Sequence, residues 1–200
     1  APKLGILGGY FKEKAEEGVW EGFGNAVERL GDAGAELLEV KLPEVFRVVH
    51  AAHRLIMASE AASVHGELFR ERRAEYRVGI RGLVSSGLLV PAHAYVNALR
   101  IRGMFIQEAR AMLKGVDSLL TPSAPTAAPL GLESTGDPSF NAPWSLCGFP
   151  VITVPSGLNR DGLPLGVQLT GLPFQETRLL GVAAWCEHVL GFCLLYTSPS

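Results

Sequence analysis

The sequence predicts an α/β fold, and three observations support this. A strand–helix–strand pattern occupies residues 1 to 42, two strand-like runs form a hairpin pattern near residues 151 to 170, and 48% of the 200 residues are hydrophobic. That apolar content is ample for a single buried core. With 18 basic and 20 acidic side chains the formal charge is −2, so the sequence gives no electrostatic sign of nucleic-acid or anionic-lipid binding.

The first forty residues read as a βαβ unit. Short apolar runs at Leu4–Leu7 and Leu37–Val40 have the length of buried strands, and Gly8-Gly9 ends the first. Between them, apolar residues recur at helical spacing, and Gly34 lies where that helix ends; the stripe is Val19, Phe23, Val27 and Leu30. A right-handed crossover then makes the two strands parallel.

The rest of the chain alternates helical and strand patterns. Residues 45 to 114 predict three helices, interrupted near residues 70–73 and 87–91. Ser118–Thr121 predicts a strand, and Val151–Val154 with Gly166–Thr170 predicts a hairpin turning at Asp161-Gly162. A last helix spans about residues 175 to 190, ending at Gly191, and residues 192 to 200 show no periodicity.

The sequence offers few ready-made chemical motifs. Cys147, Cys186 and Cys193 form no paired pattern and are read as free thiols in a reducing, cytoplasmic compartment. His50 and His53 have no further metal-binding residue at a suitable spacing in the sequence. We therefore expect them to be ordinary solvated or capping histidines, and we expect no metal. No GxSxG, Walker A or GxGxxG pattern occurs. The longest uncharged stretch, residues 138 to 159, carries four prolines and two glycines, which excludes a bilayer-spanning helix there.

A long proline-rich connection follows the strand at Ser118–Thr121. Ligands in open α/β sheets bind outside the carboxyl ends of strands. On this basis five residues are candidates for the lining of a substrate pocket: Thr121, Ser123, Asp137, Asn141 and Trp144. The spacing alone equally allows a rigid loop that plugs the end of the sheet.

Four segments together resemble the C-terminal half of amidase signature family enzymes, and the resemblance extends to about Phe192. Their order and spacing are highly specific. The segments are Val116–Pro125 (VDSLLTPSAP), Phe140–Trp144 (FNAPW), Gly148–Gly157 (GFPVITVPSG) and Gly162–Gly171 (GLPLGVQLTG).

The resemblance implies a mixed β-sheet flanked by helices on both sides, with residues 1–192 as the C-terminal part of a single amidase domain and 193–200 as a non-family tail. It implies hydrolysis of small carboxylic amides by a serine nucleophile, a second serine in a cis peptide and a lysine, without a cofactor. Those catalytic groups lie upstream of the resembled region, so we expect the isolated chain to be inactive. We expect neither nucleic acid nor membrane as a direct partner. A homodimer is one possible oligomeric state of the enzyme.

Two alternatives remain open. The chain could be part of the A subunit of a tRNA-dependent amidotransferase, although Asn141–Ser145 looks more like general amidases. It could also be a non-catalytic α/β binding module, since no nucleophile motif is present.

Overall fold

The computed structural model describes residues 1–192, which form seven α-helices and five β-strands. The strands are β1 (Lys3–Leu7), β2 (Glu36–Val40), β3 (Ser118–Pro122), β4 (Val151–Leu158) and β5 (Pro164–Thr170). The helices are α1 (Tyr10–Lys14), α2 (Glu17–Asp32), α3 (Val49–Arg72), α4 (Val78–Gly87), α5 (Ala92–Met112), α6 (Ala142–Cys147) and α7 (Glu176–Leu190). Three short 3-10 turns cover Glu44–Val48, Arg73–Glu75 and Pro138–Phe140.

The chain divides into two compact units. Of the described residues, 1–42 and 109–192 form the first unit, and Pro43–Glu108 form the second. The first unit contains a five-stranded sheet in the order β2-β1-β3-β5-β4. Strand β1 pairs in parallel with β2 and β3, whereas β5 pairs antiparallel with β3 and β4. The predicted parallel βαβ unit and the predicted hairpin are both confirmed.

Helices cover both faces of this mixed sheet. On one face α2 and α7 pack over a core that includes Leu4, Phe23, Leu30, Leu120, Leu169, Leu179 and Cys186. Because side chains alternate along a strand, the opposite face carries Thr121 and Gln168, which face each other across the β3–β5 pair. That face is covered by the segment that leads into α6, where Phe140 packs edge-on against Phe11 of α1 with ring centroids 4.9 Å apart. The fold implied by the family resemblance is therefore confirmed.

Asp117 ties three elements of the first unit together. Its Oδ2 accepts from the backbone N–H of Lys3 at 2.7 Å, its own N–H donates to the Lys3 carbonyl at 2.8 Å, and its other carboxylate oxygen pairs with Arg178 on α7. The Lys3 N–H is the main cause of a lowered pKa at Asp117, helped by Arg178 and opposed by partial burial.

The second unit contains α3, α4 and most of α5, which are the three helices that the sequence predicts between residues 45 and 114. Helix α4 ends where α3 passes very close: a Cβ added at Gly87 would lie 1.9 Å from the carbonyl oxygen of Ala58. Phe46 and Phe105 pack edge-on with centroids 5.9 Å apart. None of the helices within residues 1–192 is long and apolar enough to cross a membrane.

Two details of the structure differ from the sequence predictions or extend them. The sequence predicts only a turn at Gly8-Gly9, but the five-residue helix α1 starts directly after it and buries Phe11. Such a short helix leaves no readable period in the sequence. Cys147 and Cys186 are buried free thiols, as predicted, while Cys193 and the predicted tail 193–200 lie outside the described residues.

Candidate functional site

A cavity of about 300 Å³ lies beyond the carboxyl end of β3. Its walls come from the loop that follows β3, the segment that precedes α6, and the first residues of β5. Leu165 and Val19 add apolar surface. The position is the one that ligands favour in α/β sheets.

Three of the five predicted site residues meet in this cavity. Ser123, Asp137 and Asn141 line it, although Ser123 and Asp137 lie 14 positions apart in the chain. Thr121 and Trp144 are not among the lining residues. The prediction that all five contact substrate stays a prediction.

Thr121 and Trp144 lie in the packing behind the cavity. Thr121 is 1% exposed within β3, and its hydroxyl oxygen accepts a hydrogen bond from Gln168. Trp144 is likewise 1% exposed, and its indole stacks parallel to the Phe11 ring with centroids 6.5 Å apart. Both residues therefore support the segments that form the cavity walls.

The cavity presents polar groups that are available to a ligand. Asp137 Oδ1 accepts from the Ser139 N–H at 2.8 Å and so caps the 3-10 turn at Pro138–Phe140. Within residues 1–192, the side chains of Ser123 and Asn141 make no hydrogen bond to protein. Among the described lining residues, Asp137 carries the single charged side chain. The arrangement offers a hydroxyl, an amide and one carboxylate to a small polar molecule.

Backbone contacts hold the loop walls in place. The Ser123 N–H donates to the Gly166 carbonyl at 3.0 Å, and the Glu16 N–H donates to the Pro125 carbonyl at 2.8 Å. Gly166 leaves room for its neighbours, since an added Cβ would lie 3.1 Å from Ser123 Oγ and 2.8 Å from Thr153 Cγ2. The start of the loop is thereby fixed both to the hairpin and to Glu16, the residue that precedes α2.

Sequence reasoning missed the residue that links two of the walls. Gln168 is 0% exposed, and its Nε2 donates to the carbonyl of Phe140 and to Thr121 Oγ1, each at 3.2 Å. A usable signal exists in the sequence: an amide between Val167 and Leu169, in a strand of otherwise apolar character, requires buried partners.

The described part of the site shows no activated nucleophile. Ser123 Oγ has no hydrogen bond to a histidine or lysine in the described part of the chain, and a serine needs such a base to attack a carbonyl. Across residues 1–192 no group of three His, Cys, Asp or Glu side chains is arranged to hold a metal. His53 lies on α3, where burial and the nearby His50 lower its pKa.

A second cavity, of about 460 Å³, lies within the second unit. Its lining residues include Glu60, Gly87, Leu88 and Tyr95. The Tyr95 hydroxyl donates to Glu60 Oε1 at 3.4 Å. None of the residues predicted from the sequence lies there.

Known proteins resemble this chain over most of its length. It is 31% identical to the A subunit of the glutamyl-tRNA(Gln) amidotransferase of Zymomonas mobilis, over 88% of this chain and 42% of that protein. It superposes on the crystal structure of an amidase with a TM-score of 0.84 and 27% identity, over 94% of this chain and 45% of that one. The corresponding A subunit of Thermotoga maritima gives a TM-score of 0.66 and 29% identity, over 90% and 40%.

The chain thus spans less than half the length of the relatives it matches. The sequence model of the amidase family matches residues 1–180, a range that includes all four segments that carry the resemblance and also the cavity walls. The match therefore covers both the sheet and the candidate site. This chain belongs to the amidase family.

Proposed function

We propose that this chain is the C-terminal part of an amidase that hydrolyses small carboxylic amides to an acid and ammonia or an amine. The observation that carries the proposal is the cavity at the end of β3, where Ser123, Asp137 and Asn141 converge and the described residues supply no activated nucleophile. A binding wall that lacks its own reactive group fits a chain that supplies one side of an amidase site. In this proposal residues 1–192 belong to a single amidase domain.

The chemistry is assigned to groups outside this chain. A serine hydroxyl attacks the amide carbonyl, and its proton passes through a second serine, in a cis peptide, to a neutral lysine. The C–N bond breaks, and the leaving nitrogen takes up a proton. Water then attacks the acyl-enzyme ester and releases the acid, while backbone N–H groups stabilise the oxyanion in both steps. No cofactor takes part in this sequence.

This chain's contribution is to bind and orient the amide. The free amide group of Asn141 and the Ser123 hydroxyl can each donate or accept a hydrogen bond, and the Asp137 carboxylate can accept one more. Leu165 and Val19 offer apolar surface to the acyl part of a substrate. Holding the scissile carbonyl in line with the serine lowers the barrier through orientation.

The test is to express the complete reading frame that contains this chain and to assay a panel of small amides. Ammonia release and mass spectrometry of the acid product are the readouts. We expect Ser123→Ala and Asn141→Ala each to raise KM about three- to tenfold through loss of a substrate hydrogen bond. Ser145→Ala on α6 and Asn25→Ala on α2 are matched controls, because both side chains are exposed and outside the cavity.

A well-folded complete protein that hydrolyses no amide would contradict this proposal and favour a non-catalytic binding module. The same protein allows two smaller tests. Light scattering shows whether it forms a homodimer. Localisation of the tagged protein tests the cytoplasmic placement, which we favour because neither Cys147 nor Cys186 forms a disulfide within the described residues.

A second candidate function is favoured by the relatives' names. Eight curated relatives at 28 to 32% identity are glutamyl-tRNA(Gln) amidotransferase A subunits. In that case the complete protein would release ammonia from glutamine in the presence of partner subunits. Co-purification of such partners, with ammonia transferred to a charged tRNA, would favour this function over a free-standing amidase.

A further inference from the structure

We propose that Gln168 is a positioning residue for the cavity, and this inference rests on the function proposed above. Its amide holds the segment from Asp137 to Asn141 against the sheet, so that the polar groups of that segment face the substrate. Gln168 lies in the middle of β5 and is 0% exposed. Its Nε2 donates to the Phe140 carbonyl at 3.2 Å and to Thr121 Oγ1 at 3.2 Å.

Fold stability alone does not account for an amide at this position. Burying an amide costs free energy unless each polar atom finds a partner. Gln168 Oε1 is buried and has no hydrogen-bond partner in the described part of the chain. An apolar side chain of similar volume would avoid that cost. The two donated hydrogen bonds therefore indicate that the residue positions the segments of Phe140 and Thr121.

The held segment carries cavity residues at both of its ends. Asp137 caps the 3-10 turn by accepting from the Ser139 N–H, and Asn141 follows the turn at the start of α6. Phe140, between them, is fixed through its ring by Phe11 and through its carbonyl by Gln168. Without the carbonyl contact the turn can rotate about the buried ring, which would move both cavity side chains.

The same amide also reaches the opposite wall. Thr121 lies two residues before Ser123, at the point where β3 enters the loop that lines the cavity. Gln168 thus joins the two segments whose separation sets the width of the cavity. A change in its donor groups should alter substrate affinity more than the rate of the chemical step.

The experiment compares Gln168→Met with Thr170→Val in the complete protein. Thr170 lies two residues further along β5, on the same face; it is 1% exposed, and its Oγ1 is buried without a partner in the described residues. We expect Gln168→Met to raise KM about tenfold, equivalent to about 1.4 kcal/mol, while kcat changes less than about threefold. Thr170→Val should leave both constants unchanged. Equal KM values for Gln168→Met and wild type would overturn the proposal.

Hydrogen exchange provides a readout that does not depend on activity. Peptides covering residues 137–147 should exchange about tenfold faster in Gln168→Met than in Thr170→Val, because the turn loses its carbonyl anchor. If the complete protein hydrolyses no amide, the proposed function fails, and exchange still decides whether Gln168 holds the turn. Unchanged exchange in this segment would overturn the positioning role.

Gln168→Glu gives a third variant, which remains informative if Gln168→Met does not fold. A protonated carboxyl can donate to the Phe140 carbonyl, whereas a carboxylate cannot, and burial raises the pKa of a carboxyl at this position. We expect the KM of Gln168→Glu to fall toward the wild-type value at low pH and to rise with pH. A ratio independent of pH would contradict the donor role.

Discussion

Replacing Gly87 with alanine tests how closely α3 and α4 pack in the second unit. The added Cβ would lie 1.9 Å from the carbonyl oxygen of Ala58, 2.5 Å from its carbon and 2.8 Å from the Cβ of Ala62. The nearest two atoms belong to backbone, so no side-chain rotation can relieve the clash. The helices must move apart instead, which loses contacts along both.

The magnitude follows from two opposing terms. Alanine is favoured over glycine in a helix by up to about 1 kcal/mol. Overpacking of a well-packed contact costs about 1–3 kcal/mol, and a clash with backbone belongs at the upper end of that range. Gly82 lies in the same helix, and no atom of the described residues lies within 4 Å of an added Cβ. Gly82→Ala therefore gains the helix-propensity term without the packing cost. The two variants should therefore differ in unfolding free energy by about 2–3 kcal/mol.

The assay is urea denaturation of the complete protein, combined with hydrogen exchange in α3 and α4. We expect Gly82→Ala to match or exceed wild-type stability and Gly87→Ala to fall below it, with faster exchange around Ala58. If the unfolding free energies of the two variants differ by less than about 0.5 kcal/mol, the close approach of α3 and α4 at Gly87 is refuted, because that difference is well below the expected packing cost.

Further predictions concern charge, thiol chemistry and the isolated chain. The lowered pKa of Asp117, from an ordinary value of 3.8, means that its stabilisation is present above that value and is lost as pH falls through the folded-state value. Asp117→Asn should therefore cost about 0.5–1 kcal/mol at pH 7 and less at pH 3, measured by denaturation at both. Burial raises the pKa of the Cys186 thiol to about 11, so iodoacetamide at pH 8 should modify it at least ~100-fold more slowly in native than in unfolded protein, as followed by peptide mapping. Asp137→Asn should lower kcat/KM up to about fivefold for amides that bear an ammonium group and leave neutral amides unaffected, since an exposed ion pair contributes about 0.2–1 kcal/mol. The isolated 200-residue chain should show neither amidase activity nor a cooperative thermal transition; a sharp monomeric transition would disprove the second point.

Most of the fold could be predicted because its signals are local. The runs at Leu4–Leu7 and Leu37–Val40, with a helical stripe between them, are sufficient for a parallel pair, and Asp161-Gly162 marks the hairpin turn. Helix α1 was missed because five residues give no period. The sequence predicts only a helix interruption near residues 87–91. The close contact of Gly87 with Ala58 depends on another helix and leaves no mark in the local sequence.

The candidate site was predictable only in part for the same reason. Ser123, Asp137 and Asn141 are polar residues at a strand end or next to turn-forming residues, a pattern that sequence displays directly. Thr121 occupies a similar place, but strand alternation turns it toward Gln168 and into the interior. Trp144 stacks on Phe11, a partner more than a hundred residues earlier in the chain. The orientations of the Thr121 and Trp144 side chains therefore cannot be predicted without knowing which residues they contact in the folded chain.

The pairing of β3 has a consequence for the order of folding. The β4–β5 hairpin joins residues that a short turn brings together, whereas Leu4 and Ser118, which are paired between β1 and β3, lie 114 positions apart. Closing so long a loop is slow compared with forming a hairpin. We therefore expect the antiparallel half of the sheet to assemble first and β1 to dock onto it late. Slowing the docking step would expose the edge of β3 that pairs with β1 to other chains during synthesis.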